Sequence, residues 1–369
     1  MKNNCTFLEK LLDGAEVEWK PLNKIVTTIT APVKLKREMY CSTGSTPIID
    51  QGEKFIAGYT DENFEAIPSN EYIIFGDHSE HIKYVNFSFI QGADGLKILK
   101  PKEDNAKYIY YAFQNFYVKE LNYKRHWSSA KETLIPLPPP TVQTKIVRIL
   151  DALTALTSEL TSELILRQKQ YEYYREKLLS EEELGKVGFE WKTLDQISEN
   201  LDSKRKPITS GLRTSGKIPY YGASGIVDYV EDYIFDGDFL LISEDGANLL
   251  ARNTPIAFSA SGKIWVNNHA HILKFETYEE RRFIEFYLNK IDLTPYISGA
   301  AQPKLNKKNL NSIKFPIPSI PEQQRIVSIL DKFETLTNSI TEGLPLAIEQ
   351  SHKRYEYYRE LLLNFPGRE

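Results

Sequence analysis

Few residues in this chain stand at spacings that would do chemistry. Gly211-Leu-Arg-Thr-Ser-Gly-Lys217 has the Gly-x4-Gly-Lys spacing of a loop that cradles phosphate. Its neighbours are wrong for phosphate binding. Ile218 replaces the hydroxyl that holds Mg²⁺, and Pro207 and Pro219 stand where a strand and a helix should flank the loop. His269 and His271, two apart, share a strand face but offer two imidazoles with no third metal ligand. His78 and His81 form a similar incomplete pair. Glu244-Asp245 and Asp236-Gly-Asp238 carry carboxylates for acid–base or Mg²⁺ work, yet their surroundings read as turn chemistry. There is no Gly-x-Gly-x-x-Gly loop and no Asn/Asp-Pro-Pro-Tyr run of an amino-methyltransferase. Cys5 and Cys41 are too few for a disulfide framework or a four-thiolate site.

The basic residues carry more. Lys34, Lys36 and Arg37 form one cluster, and Lys204, Arg205 and Lys206 form another in the corresponding part of the second half. Lys124 and Arg125 lie late in the first half, as Lys304 and Lys307 do in the second. Clusters repeated in comparable places favour phosphate contacts. Around them run loops rich in Gly, Ser and Asn, whose side chains suit base edges. They supply Ser42, Thr43 and Ser45, then Tyr221 and Ser224, then Asp245 and Asn248, then Gln302. His78 and Arg213 complete the candidate DNA-binding set. The net charge of −4 excludes a bulk basic polyanion binder but leaves room for local patches. No apolar run approaches the ~18 residues of a membrane span, and Glu9 and Lys10 interrupt any signal-peptide core, so the expected location is the cytoplasm.

These residues sit on a duplicated frame. Ile146-Val-Arg-Ile-Leu-Asp151 returns as Ile326-Val-Ser-Ile-Leu-Asp331, and Pro136-Leu-Pro138 as Pro316-Ile-Pro318, both 180 positions on. Tyr171-Glu-Tyr-Tyr-Arg-Glu176 returns unchanged as Tyr355-Glu-Tyr-Tyr-Arg-Glu360, 184 positions on. Upstream, Val17-Glu-Trp-Lys20 answers to Phe189-Glu-Trp-Lys192. The second copy therefore holds four extra residues, near one helical turn, the insertion a helix tolerates best. Glu9-Lys-Leu-Leu12 echoes Glu176-Lys-Leu-Leu179, so the chain starts on a helix end, and the termini are expected close together.

Apolar residues from Ile146 to Leu178 and from Ile326 to Leu362 recur in steps of three and four, the seam of a coiled coil. Each helix has room for about 40 residues, or roughly 60 Å, and Gly343 and Pro345 should break or kink the second. Tyr72–Phe75, Phe239–Ile242 and His271–Phe275 read as buried strands; Tyr108–Tyr117 and Arg281–Leu288 read as helices. The reading is α/β: two tandem, pseudo-two-fold-related modules separated by two long antiparallel coiled-coil helices. Its boundaries are a helix end over 1–18, modules over 19–140 and 189–320, and helical spacers over 141–188 and 321–369.

Two Glu-Trp-Lys modules, each ending in Pro-x-Pro before an Ile-Val-x-Ile-Leu-Asp helix with a Tyr-rich end, resemble the specificity (S) subunit of type I restriction-modification systems. Gln302-Pro-Lys-Leu-Asn306 and Glu322-Gln-Gln324 are similar to the family's module-to-helix junction. The first junction departs from it, with Trp127-Ser-Ser-Ala-Lys131 where the second has Ala300-Ala-Gln-Pro-Lys304. The resemblance implies that each module is a target recognition domain reading half of a bipartite double-stranded DNA site. It implies that the helices dock two modification (M) subunits carrying S-adenosylmethionine, with restriction (R) subunits joining them. No cofactor or metal is expected in this chain, which would itself be non-catalytic. Tyr173, Tyr174, Tyr357 and Tyr358 are the docking candidates. The alternatives are a coiled-coil adaptor that binds no DNA, or an enzyme using the Glu244-Asp245 loop.

The first helix also contains Thr157-Ser-Glu-Leu160 followed by Thr161-Ser-Glu-Leu164. A leucine every fourth residue suffices for a seam. The resemblance adds a second expectation, that this segment sets the gap between half-sites.

Overall fold

The computed structural model describes residues 8–299 and 302–365. Cys5, Ala300 and the two chain ends, with their expected proximity, lie outside the described residues. The chain divides into two compact units: one runs up to Leu160 and resumes at Ala347, the other is Thr161–Leu346.

The first unit opens with β1 (Glu18–Pro21) and β2 (Val26–Ile29), followed by β3 (Thr46–Ile49) and β4 (Gly58–Thr60). Next come β5 (Tyr72–Gly76), β6 (Ile82–Val85), β7 (Ile90–Gln91) and β8 (Leu96–Pro101). An antiparallel sheet has the order β2-β8-β5-β6, and a second, mixed sheet has the order β4-β3-β7. Every residue of β5 is buried, as its unbroken apolar run requires of a central strand. Helix α1 (Ala106–Phe116) covers this sheet. The Asn105 side chain caps it, accepting from Lys107 N and Tyr108 N at 3.0 Å. Phe113 meets Phe75 with ring centroids 5.7 Å apart.

The chain leaves the module through β9 (Leu134–Leu137), which pairs antiparallel with β1, and enters α2 (Pro140–Leu178). This helix is continuous over 39 residues.

The second unit repeats the plan on a larger sheet. After β10 (Phe189–Lys192) come β11 (Glu199–Asn200), β12 (Ser215–Gly222) and β13 (Gly225–Val230). They are followed by β14 (Phe235–Ser243), β15 (Ala257–Val266) and β16 (Ala270–Lys274). The sheet order is β11-β16-β14-β15-β12-β13. Helix α3 (Tyr278–Lys290), capped by Thr277, packs Phe283 and Phe286 into a core with Leu240, Ile242 and Leu330. Strand β17 (Phe315–Pro318) pairs with β10 and leads to α4 (Ile320–Asn338) and α5 (Gly343–Leu363).

The expected strands and helices are present, with one correction: Tyr221–Gly225 is not an open loop. Tyr221 and Gly222 end β12, Gly225 starts β13, and Ala223-Ser224 form the two-residue hairpin turn.

The two sequence motifs that flank each module are the two strands of one ribbon. Glu18 lies opposite Leu137 and Trp19 opposite Pro136; Glu190 lies opposite Ile317 and Trp191 opposite Pro316. The register is the same in both units. Just beyond, Gln143 Nε2 donates to Pro138 O at 2.9 Å, and Gln323 Nε2 donates to Pro318 O at 2.9 Å. Both glutamines are buried, so each bond fixes where the long helix leaves its ribbon. Further along the first long helix, Asp151 accepts from Tyr111 Oη at 2.7 Å and Lys107 Nζ at 2.8 Å. Asp331 accepts from Tyr278 Oη at 2.7 Å and from the Arg282 guanidinium. The terminal aspartate of each Ile-Val-x-Ile-Leu-Asp motif thus clamps a module helix to a long helix.

In the first unit α5 runs antiparallel to the early part of α2. Ser351 Oγ and Thr157 Oγ1 lie 2.8 Å apart, while Tyr355 and Leu362 join the core that holds Ile146 and Leu150. Leu8, from the helical residues 8–12, is in that same core. In the second unit Tyr174 of α2 stacks on Phe333 of α4, with centroids 5.5 Å apart.

The break near Gly343 is present. Gly343 has φ +81°, and a Cβ there would stand 2.5 Å from Thr335 O. The four-residue difference between the copies is not the extra helical turn expected from sequence. Residues 339–342, four in number, link α4 to α5 outside both helices. The seam is also shallower than expected. Beyond Leu150 no residue of α2 is fully buried, and Leu156 is 37% exposed.

Candidate nucleic-acid interface

In the first module the strand ends and the loop after α1 bring four candidates onto one surface. Lys34 Nζ donates to Asp94 Oδ1 at 3.0 Å. Gln51 Nε2 donates to Asp94 O at 3.2 Å, and its Oε1 accepts His78 N at 3.2 Å. His78 Nδ1 lies 3.1 Å from Lys124 O, and its ring stacks on Tyr123 with centroids 5.5 Å apart. Arg125 is close enough to Asp94 to help hold that carboxyl below its ordinary range, after the larger effect of Lys34. Lys34, His78, Lys124 and Arg125 are therefore contiguous, with Gln51, Asp94 and Tyr123 between them. Lys36 and Arg37 are exposed on the preceding loop, where Arg37 lines a cavity of about 470 Å³ with Tyr40, Asp50, Glu53 and Lys54. Ser42, Thr43 and Ser45 are exposed before β3; Ser45 N donates to Asp61 Oδ1 at 2.8 Å.

In the second module the corresponding loops close over a buried charge network. Arg205 Nη1 lies 2.7 Å from Glu244 Oε2 and 2.7 Å from Ala270 O. His271, fully buried, faces acceptors on both ring nitrogens: Asp202 Oδ2 at 2.6 Å and Leu305 O at 2.7 Å. Lys304 Nζ completes the set, 3.2 Å from Glu244 Oε1. Burial alone would raise the Glu244 and Asp202 carboxyls, but Arg205 and His271 outweigh it and hold both below their ordinary range. At the rim, Asp245 pairs with His269 at 2.8 Å, and Lys307 Nζ donates to Asn200 Oδ1 at 3.0 Å. Lys204, Lys206, Ser224 and Gln302 are exposed. Among the described residues no group of three or more His, Cys, Asp or Glu is placed to hold a metal ion, and no helix is long and apolar enough to cross a membrane.

Four residues singled out by type already have partners inside the module, so they are less available than their types suggest. Arg205 is spent on the Glu244 network. Arg213 donates to Asp228 Oδ2 at 3.0 Å and lies 4.3 Å from the Tyr220 ring centroid. Tyr221 stacks on Phe258. Asn248 uses both halves of its amide on the backbone of Thr254.

Both modules share one device that sequence reasoning missed. The residue after the central strand clasps the loop that follows the module helix. Asp77 O accepts His126 N at 2.8 Å, and Glu244 O accepts Leu305 N at 2.7 Å. Asp77 Oδ1 also accepts Trp127 N at 2.8 Å. The only sequence sign was an acidic residue two positions after each apolar strand run.

On the helices, Tyr173 and Tyr174 pack edge to face at 5.3 Å and 74°, and Tyr357 and Tyr358 do so at 5.3 Å and 75°. Tyr173 is 59% exposed and Tyr357 55%.

A family model described as "Type I restriction modification DNA specificity domain" matches the chain twice, over residues 16–167 and 186–350. The EcoR124I/EcoR124II type I restriction enzyme specificity subunit of Escherichia coli is 38% identical, over 99% of this chain and 98% of its own length. The chain belongs to this family. The specificity subunit of another Escherichia coli enzyme, EcoprrI, is 32% identical over 92% of this chain and 93% of its own. The crystal structure of a type I S subunit from M. genitalium covers 96% of this chain and 98% of that one at a TM-score of 0.64, with 18% identity, and shares its fold. As a specificity subunit, this protein is the non-catalytic, DNA-sequence-recognising component of a type I restriction-modification system.

Proposed function

We propose that each module reads one half of a bipartite site in double-stranded DNA, while the long helices dock two M subunits. The observation that carries this is the duplicated ribbon. Two modules enter and leave by strands of the same register, yet the sheets behind those strands, and so the loops that join them, differ. An identical frame with divergent loops is what two independent readers on one scaffold require. Lys34, Lys36, Arg37, Lys124, Arg125, Lys204, Lys206, Lys304 and Lys307 serve phosphates. Ser42, Thr43, Ser45, His78, Ser224, Asp245 and Gln302 stand near base edges. S-adenosylmethionine and methyl transfer belong to the M subunits, and R subunits add cleavage. The test is exchange of residues 20–135 for another module of the family, followed by genome-wide mapping of methylated sites. One half of the site should change; a change in both halves would refute independent reading.

A further inference from the structure

The loop between α1 and the short helix Trp127–Ala130 presents apolar side chains to solvent. Val118 is 79% exposed, Leu121 84% and Tyr123 92%. Three large apolar side chains uncovered within six residues of one loop mark a surface fit to meet a partner.

This loop is held in shape from beneath. Glu80 is 2% exposed. Its Oε1 accepts Tyr117 Oη at 2.6 Å and Glu120 N at 2.9 Å, and its Oε2 accepts Leu121 N at 2.8 Å. His126, fully buried, places Nε2 2.9 Å from Asn122 O. The His78 ring supports Tyr123 from the side. Glu80 and Leu121 both have left-handed backbones, φ +57° and +55°, unfavourable for a side chain of either type. Two strained residues joined by a buried carboxylate indicate a loop whose form is set before it meets its target.

Charge identifies the target. From Val118 to Arg125 the loop carries Lys119, Lys124 and Arg125 against Glu120, three positive and one negative, or +2, in a chain whose net charge is −4. Lys124 rests on Glu120 inside the loop. Lys34 and Arg125 adjoin the same surface through Asp94. An apolar tip flanked by cations complements a duplex, where phosphates line the groove and base edges and thymine methyls lie within it.

We infer that Leu121 and Tyr123 contact bases of the half-site read by the first module, that Lys119, Lys124 and Arg125 hold the flanking phosphates, and that Glu80 is the residue positioning them. This rests on the reading of each module as a half-site reader.

The experiment uses the full chain assembled with its M subunits, maps methylated sites for the wild type and three variants, and titrates each with duplex DNA at several salt concentrations and with M subunit. Leu121→Ala with Tyr123→Ala should lose about tenfold or more in discrimination at one or two positions of one half-site, leaving the other half untouched. Both residues are exposed, so folding should be unaffected. Glu80→Gln should blur the same positions. Lys124→Ala with Arg125→Ala should weaken binding at all sequences and flatten its salt dependence, without changing which bases are preferred. Unchanged half-site preference in the assembled Leu121/Tyr123 variant overturns the inference. So does lost M-subunit affinity with preference intact, which would make the tip a protein contact. A wild-type complex with no bipartite preference would instead overturn the half-site reading itself.

Discussion

The carboxylate of Asp331 accepts two hydrogen bonds from the guanidinium of Arg282, from Nε at 3.0 Å and from Nη2 at 2.7 Å. Arg282 also meets Glu285 at 2.6 Å and contacts Glu334, so one buried cation holds three carboxylates from two helices. Arg282→Met should therefore cost about 3 kcal/mol, because it leaves the buried Glu285 and two half-buried acids uncompensated. Asp331→Asn should cost less, about 1–2 kcal/mol, since Arg282 keeps two partners. Urea unfolding of both variants measures the difference. Equal losses would show that the clamp does not act through Arg282.

Glu80 gives the first module a pH dependence of known sign. Burial would raise its carboxyl, but the bonds from Tyr117, Glu120 and Leu121, with His126 nearby, hold it below the ordinary value. A carboxyl with a depressed folded-state value stabilises the fold fully above its unfolded value, near 4.5. That stability is lost as pH falls through the folded value. Melting temperature should fall on acidification below about pH 5. Glu80→Gln should be less stable than wild type at pH 7 and show a shallower acid limb.

Tyr173→Ala with Tyr357→Ala should weaken assembly with M subunits by about tenfold or more, as for exposed aromatic anchors. The two rings occupy equivalent exposed places on α2 and α5. Titration of labelled chain with M subunit reads the effect, and unchanged affinity would move docking elsewhere.

Duplicating Thr161–Leu164 should lengthen the unread spacer by one base pair and leave both half-sites unchanged. The insertion falls within continuous helix, unlike residues 339–342. Four residues add about 6 Å and a net turn of about 40°. One base pair turns the duplex by about 34–36°. Rotation matches one step, while the extra rise is absorbed by bending. Methylome mapping checks this, and an active variant with its spacer unaltered would remove the ruler.

Repeated sequence made the frame legible. Glu-Trp-Lys and Pro-x-Pro are short, but their double occurrence announced two modules, and pairing across the ribbon made them neighbours. Tyr72–Phe75 and Phe239–Ile242 were readable because each is a short apolar run bounded by turn-forming residues, the pattern of a buried strand. The site was less legible. Lys34 and Arg125 lie far apart in sequence, and no local rule brings both to Asp94. Arg205 looked like a free cation because nothing near it in sequence reveals Glu244 or Ala270. Glu80 carried no local sign at all, since its bonds reach the backbone some 40 residues later. The Ala223-Ser224 turn reads as an open loop in sequence because Gly222 and Gly225 punctuate strands here as well as turns.

The ribbon has a consequence for how such a protein changes over generations. Because β1 pairs with β9, the chain enters and leaves the first module at adjacent strands, roughly 5 Å apart. The same holds for β10 and β17. A module is thus a cartridge with one two-pronged plug, and its internal length is invisible to the helices beyond. The sheets inside the two cartridges already differ in strand number behind the same plug. Recombination between genes at the codons for these strands would hand a whole reading head from one lineage to another, with the junction already in register.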